Sequence, residues 1–177
     1  MSGRWRVTRP PLPDAGVRDA FLGTTYGSRT DRFRLVTDLP SIGPAGPGER
    51  WGGPCGAGRR WAVLTAWNPG GQLQDAERNA AAQARLIAAL HGRPVVPGVN
   101  GEGRWREESV IVDGITLRDA ADLGARFGQL AVLYGVGRRA ALVWCGVPGG
   151  SGMRVERAWL ASVPTGGAGW PILPPDD

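Results

Sequence analysis

The order of apolar periodicities along this chain predicts an α/β fold of the α+β kind, a ferredoxin-like split βαββαβ sandwich with extra edge strands. Three observations carry that expectation. The stretch Trp61 to Pro69, W-A-V-L-T-A-W-N-P, has no charge and is mostly apolar, the pattern of a central strand buried on both faces. Two helix-period stretches, Gln72 to His91 and Thr116 to about Phe127, follow it at intervals. Between them Ser109 to Ile115, S-V-I-V-D-G-I, reads as a strand, preceded by a weaker candidate at Val95 to Val99 that Pro97 interrupts. A three-layer α/β sheet is the alternative, and in both cases the two helices pack on the central sheet.

In chain order, 1–13 is polar, Pro-rich and basic and reads as a flexible arm, 14–165 as a single α/β domain, and 166–177 as a Pro-rich tail. A short helix is expected over Asp14 to Tyr26, capped by Asp14, with Val17, Ala20, Phe21 and Leu22 as its apolar stripe. Arg32 to Val36 alternates like a half-buried strand at an edge. Asp38 to Gly58 is crowded with Pro and Gly and reads as a long loop. After the organising strand, Asn68-Pro69 and Gly70-Gly71 block the ladder and permit a sharp turn into a helix. On that helix Asp75 lies near the first turn, and Asn79, Gln83, Leu86 and Leu90 share one face. Thr116 caps the next helix, with Asp119 three positions on and Leu123 and Phe127 facing inward. Leu130 to Tyr134 and Ala140 to Cys145 read as strands of a hairpin whose turn is Gly135 to Arg139, and Val155 to Val163 adds one strand.

Length and composition narrow the function classes. A chain of 177 residues with 42% apolar content suits one soluble domain. It holds no apolar run long enough for a membrane span, and its first residues lack the apolar core of a signal peptide, so a cytoplasmic location is expected. The formal charge is +5, yet all 21 basic residues are arginine. With 29 Gly and 15 Pro this is the bias of a GC-rich genome, which raises the pI without selection for phosphate contacts. The excess is local, with ten Arg against five acids up to Arg60 and seven against eight from Trp61 to Gly137. Absence of lysine excludes a Walker A loop, a Schiff-base lysine and a kinase-type lysine. Glycines at Gly52, Gly53, Gly56 and Gly58, and at Gly98, Gly101 and Gly103, follow no predicted strand and read as loop glycines, so no dinucleotide cofactor is expected. Cys55 and Cys145 form no C-x-x-C pair and read as reduced thiols. With His91 as the single histidine no His/Cys metal centre is expected, which leaves only a carboxylate-held magnesium ion open.

The residues that could carry chemistry fall at strand ends and helix starts. Thr65, Trp67, Asn68, Asn79, Trp105, Ser109 and Gln129 are candidate ligand-binding residues, and Glu107 is the candidate acid or base. Amides would orient a small polar ligand or nucleotide and Trp rings would stack on it. The competing structural reading is that these groups cap helices and close turns, because buried backbone groups must be paired. Arg4, Arg6, Arg9, Arg59 and Arg60, interleaved with Trp5 and Trp61, form an alternative nucleic-acid-binding set. A pairing of Cys55 with His91 as nucleophile and base would require the fold to join a loop to a helix end.

T-A-W-N-P at Thr65 to Pro69, Asn79 on the following helix, W-x-E-x-S at Trp105, Glu107 and Ser109, and F-G-Q-x-A-V at Phe127 to Val132 together resemble the recurring segments of a bacterial family catalogued as domain of unknown function 3293. The resemblance covers about Ala20 to Trp144. A-F-x-x-T-x-Y at Ala20 to Tyr26 is similar to that family's N-terminal segment, with Phe21 in place of tyrosine. The resemblance implies no activity. Three functions are therefore weighed: a ligand-binding domain with its pocket at the Asn68 edge, a nucleic-acid-binding accessory protein using the basic N-terminal third, and a protein-binding subunit of a larger assembly that uses exposed tryptophans.

Overall fold

The structure is a computed structural model and describes residues 13–37, 53–146 and 152–163. The basic arm with Arg4, Arg6 and Arg9, most of the stretch from Asp38 to Gly58, and the tail 166–177 lie outside the described residues.

Among the described residues the order is α1 (Ala15–Gly23), β1 (Thr25–Gly27), β2 (Arg32–Val36), β3 (Arg60–Leu64), α2 (Ala76–Ala89), β4 (Val95–Asn100), β5 (Glu107–Asp113), α3 (Leu117–Arg126), β6 (Ala131–Val136), β7 (Arg139–Trp144) and β8 (Arg154–Val163). The eight strands form one sheet in the order β1-β2-β8-β7-β6-β3-β5-β4, with every pair of neighbours antiparallel. Residues 60–136 run β-α-β-β-α-β as expected, and β3 lies between β5 and β6. The additional strands all extend the β6 side. They curl the sheet until β1 meets β4, where the Gly101 N–H donates to the Thr25 carbonyl at 2.8 Å, so the sheet is nearly a barrel.

Curvature divides the core in two. The inner face holds Tyr26, Phe33, Leu35, Trp61, Val63, Ile111, Leu133, Leu142, Trp144 and Leu160, with Val17, Phe21 and Leu22 of α1 packed against them. The outer face presents Ala62, Leu64, Val110, Val112, Val132 and Val143 to Leu86 and Leu90 at the C-terminal half of α2 and to Ala120 and Ala121 of α3. This two-residue alternation along β3, β5 and β6 is why these strands read as apolar throughout.

Several boundaries differ from expectation for local reasons. α1 stops at Gly23, because the Thr24 hydroxyl donates to the Ala20 carbonyl at 2.7 Å and the chain turns extended, so Tyr26 belongs to β1. Strand β2 is not an edge, since β8 covers its second side. Helix α2 starts at Ala76 rather than Gln72, because Asp75 is its cap and accepts from the Arg78 N–H at 2.8 Å. The β6–β7 turn shrinks to Gly137-Arg138. Gly135 continues the ladder, and a Cβ there would lie 2.2 Å from the Trp61 ring. Gly98 is a strand residue of β4, not a loop glycine. Pro97 is tolerated because β4 ends the strand order and has a ladder partner on one side only.

Candidate functional site

Strand β3 ends at Leu64, yet Thr65 and Ala66 stay buried without a ladder partner, so their backbone groups need other company. Side chains supply it. Gln83 Oε1 accepts from the Ala66 N–H at 2.9 Å and Asn79 Oδ1 from the Asn68 N–H at 2.9 Å, two amides one helical turn apart on α2. The Thr65 hydroxyl accepts from the Trp67 N–H at 3.1 Å and donates to the Glu108 carbonyl at 2.7 Å. Gln129 Nε2 donates to the Trp67 carbonyl at 2.9 Å. The Gly70 N–H donates to the Gly128 carbonyl at 2.8 Å, which ties the W-N-P-G turn to the F-G-Q turn.

Asn68 is the hub. Its φ of 48° places it in the left-handed region, where asparagine is tolerated better than most residues. Its Oδ1 accepts from the Gln74 N–H at 2.9 Å and from Asn79 Nδ2 at 3.1 Å. That leaves Nδ2 to donate to Glu107 Oε1 at 2.9 Å. Only 5% of Asn68 is exposed, so this geometry is locked from every side.

Glu107 begins β5 and points, like Ser109 and Ile111 after it, to the inner face. There it meets a cavity of about 350 Å³ at the mouth of the barrel. α1 contributes Val17, Ala20 and Phe21 to the wall and Thr24 follows at its end, β1 contributes Tyr26, and β6 contributes Ala131 to Leu133. Thr65, Asn68, Trp105, Glu107 and Gln129 all line it, with Trp105 at the rim and 46% exposed. Burial pushes the Glu107 carboxyl above its ordinary range, and the hydrogen bond from Asn68 opposes that rise in part. Burial also raises the Tyr26 hydroxyl, with the charge of Glu107 contributing.

Three candidates stand off the cavity wall. Asn79 lies behind Asn68 and reaches the cavity only through it. Trp67 offers its carbonyl to Gln129, while its Nε1 is buried without a hydrogen-bond partner among the described residues. Ser109 lies deeper along β5, its Oγ buried without such a partner, beside Gly98. Phe21, Tyr26 and Asn100 line the cavity without having been singled out as site residues. The segment A-F-x-x-T-x-Y contained the first two, but nothing local to it says that it faces β5.

Other constellations separate. Cys55 packs against the inner core, whereas His91 is exposed just beyond α2 on the outer side. No group of three or more His, Cys, Asp or Glu side chains suited to a metal ion occurs among the described residues. Arg59 of the alternative set is paired with Asp113, and Arg60 is exposed. No helix among the described residues is long and apolar enough to cross a membrane.

No curated protein and no solved structure matches the chain. The segments that meet at Asn68 are nevertheless those on which the family resemblance rests, and residues 64–132 match the family model described as "Protein of unknown function (DUF3293)", so this segment is similar to that family.

Proposed function

We propose that this protein binds a small polar ligand in the cavity at the Asn68 edge of the sheet, with Glu107 as the group that receives it. One observation carries the reading. A carboxylate held by a single amide faces a mainly apolar cavity whose lining contains no arginine and no histidine among the described residues. Burying a charged group without a partner is costly, so a fold that keeps one beside a cavity is expected to meet its partner from outside. A volume of about 350 Å³ is at the lower end of ligand pockets, which run from roughly 300 to 1,000 Å³. The rim aromatic Trp105 suits stacking. Binding ranks above catalysis, since no nucleophile with its base lines the cavity among the described residues, although Glu107 would be the residue to move a proton. The absence of arginine from the lining among the described residues argues against the phosphates of a nucleotide.

The antiparallel order β6-β3-β5-β4, with α2 and α3 on one face, supports reading residues 60–136 as a ferredoxin-like unit whose sheet is extended into the barrel.

The test is a thermal-shift screen of small polar compounds on the full chain. A compound at one hundred times its Kd is expected to stabilise by about 2.7 kcal/mol. That shift should shrink in Glu107→Gln, which keeps the Asn68 hydrogen bond and removes the charge, and vanish in Ala20→Trp, which places a ring in the cavity from an exposed helix position. Hits whose shifts survive both substitutions would place binding elsewhere and remove the proposal.

A further inference from the structure

The cavity's hydrogen-bonding groups are unequally committed, and the inequality identifies the ligand's chemistry, given the pocket reading above. Three of its donor groups are engaged with the chain itself. Asn68 Nδ2 is held by Glu107, Gln129 Nε2 by the Trp67 carbonyl, and the Tyr26 hydroxyl by the Phe21 carbonyl at 2.7 Å. The charged group of the lining is an acceptor with capacity to spare. Glu107 receives one hydrogen bond, on Oε1. Asn100, opposite it in the β4–β5 register, has a buried Oδ1 without a partner among the described residues.

The other half-buried carboxylates among the described residues are treated differently. Glu156 holds Arg18, Asp113 holds Arg59 and Asp119 holds Arg93. Among the described residues no arginine lies within ion-pair distance of Glu107. The nearby guanidinium of Arg32 is occupied by the carbonyls of Val99 and Thr25 at the β1–β4 seam. Beside this acceptor pair the walls are hydrocarbon and aromatic, with Phe21, Tyr26, Val63 and Leu133 among them.

We infer that the pocket takes a small organic cation, a protonated amine on an aromatic or compact hydrocarbon body, with its N–H donors on Glu107 and Asn100. A charge-assisted hydrogen bond in a site that excludes water is stronger than a neutral one. The aromatic walls would hold the body and add attraction for the positive group. Anionic ligands of the same shape would meet Glu107 and be rejected.

Three probes of one shape test this on the full chain at neutral pH by isothermal titration: 2-phenylethylamine, 2-phenylethanol and phenylacetate. The amine should bind at least about tenfold more tightly than the alcohol, and phenylacetate should bind most weakly. Glu107→Gln should bring the amine down to the alcohol while leaving the alcohol within about threefold of its native value. Asn100→Asp, which adds a second carboxylate opposite Glu107, should tighten the amine and not the alcohol; this arm stands even if Glu107→Gln fails to fold. Equal binding of amine and alcohol would overturn the cation inference and keep the pocket. Preferential binding of phenylacetate would do the same, whereas no binding of any probe would overturn both.

Discussion

Glu107 is a carboxylate to which the described residues give one amide and no guanidinium, and the consequence for stability has a definite sign. Burial lifts its folded pKa above the unfolded carboxyl value, and the Asn68 bond reduces that lift without cancelling it. Between the two values the folded state binds more protons than the unfolded, so Glu107 lowers stability as pH rises through that interval. Glu107→Gln cannot ionise. Its stability advantage over the native chain should therefore be smallest in acid, grow as pH rises through the carboxyl range, and level off beyond the raised pKa. Urea midpoints at a series of pH values measure this, and a difference that stays flat would mean that the carboxyl is well solvated. At this scale the sequence was informative about identity and not about orientation. The spacing of Asn79 and Gln83 on α2 and the break at Asn68-Pro69 marked the polar cluster. Whether an amide turns its oxygen to a backbone N–H or its nitrogen to the cavity depends on neighbours far along the chain, as with Gln129 and the Trp67 carbonyl 62 positions apart.

Helix α1 shows the same limit one level up. Its start was legible, because Asp14 accepts from the Gly16 N–H at 2.7 Å as a cap should. What it covers was not legible, because its partners come from the far end of the chain. Arg18 Nε donates to Glu156 at 2.7 Å, Trp144 Nε1 donates to the same carboxylate at 2.7 Å, and the Phe21 ring meets that of Trp144 edge-on with centroids 5.4 Å apart. Likewise β2 reads as an edge until β8, arriving more than a hundred residues later, pairs with it. Since no residue of α1 is fully buried, these attachments hold the helix over the cavity mouth. Burial alone would raise the Glu156 carboxyl, but the bonds from Arg18 and Trp144 outweigh it and hold it below its ordinary range. The sign is then opposite to that of Glu107. This contribution is present above the unfolded carboxyl pKa and is lost as pH falls through the depressed folded value. Glu156→Gln should cost about 1 kcal/mol, Arg18 and Glu156 being only partly exposed. Hydrogen exchange should localise the loss to faster opening of α1 with β3 and β5 unchanged; uniform acceleration across the sheet would mean that α1 is not a separately docked cover.

For the whole molecule, the alternation of strands and helices over residues 60–136 could be read from periodicity, whereas closure could not, because curvature is a property of how eight strands stack. Closure is made by a few residues at the β1–β4 seam rather than by a continuous ladder. Arg32 donates to Thr25 Oγ1 at 2.6 Å and to the Val99 carbonyl, spanning both edges from β2. Gly98 permits the approach from the other side. A Cβ added there would lie 2.7 Å from Ser109 Oγ and 3.2 Å from the Gly27 carbonyl, so glycine is what lets β4, β5 and β1 come together. Gly98→Val should therefore push the seam apart. The expected cost is about 1–3 kcal/mol, the usual range for overpacking, with faster amide exchange in β1 and β4 and loss of any ligand-induced thermal shift. Gly23→Ala is the matched control. An added Cβ there meets nothing within 4 Å, so stability should hold or rise by up to about 1 kcal/mol and binding should be unchanged. If Gly98→Val weakened stability yet left the binding of a pocket ligand intact, the cavity would not depend on barrel closure, and the mouth would be formed by α1 and the Asn68 turn alone.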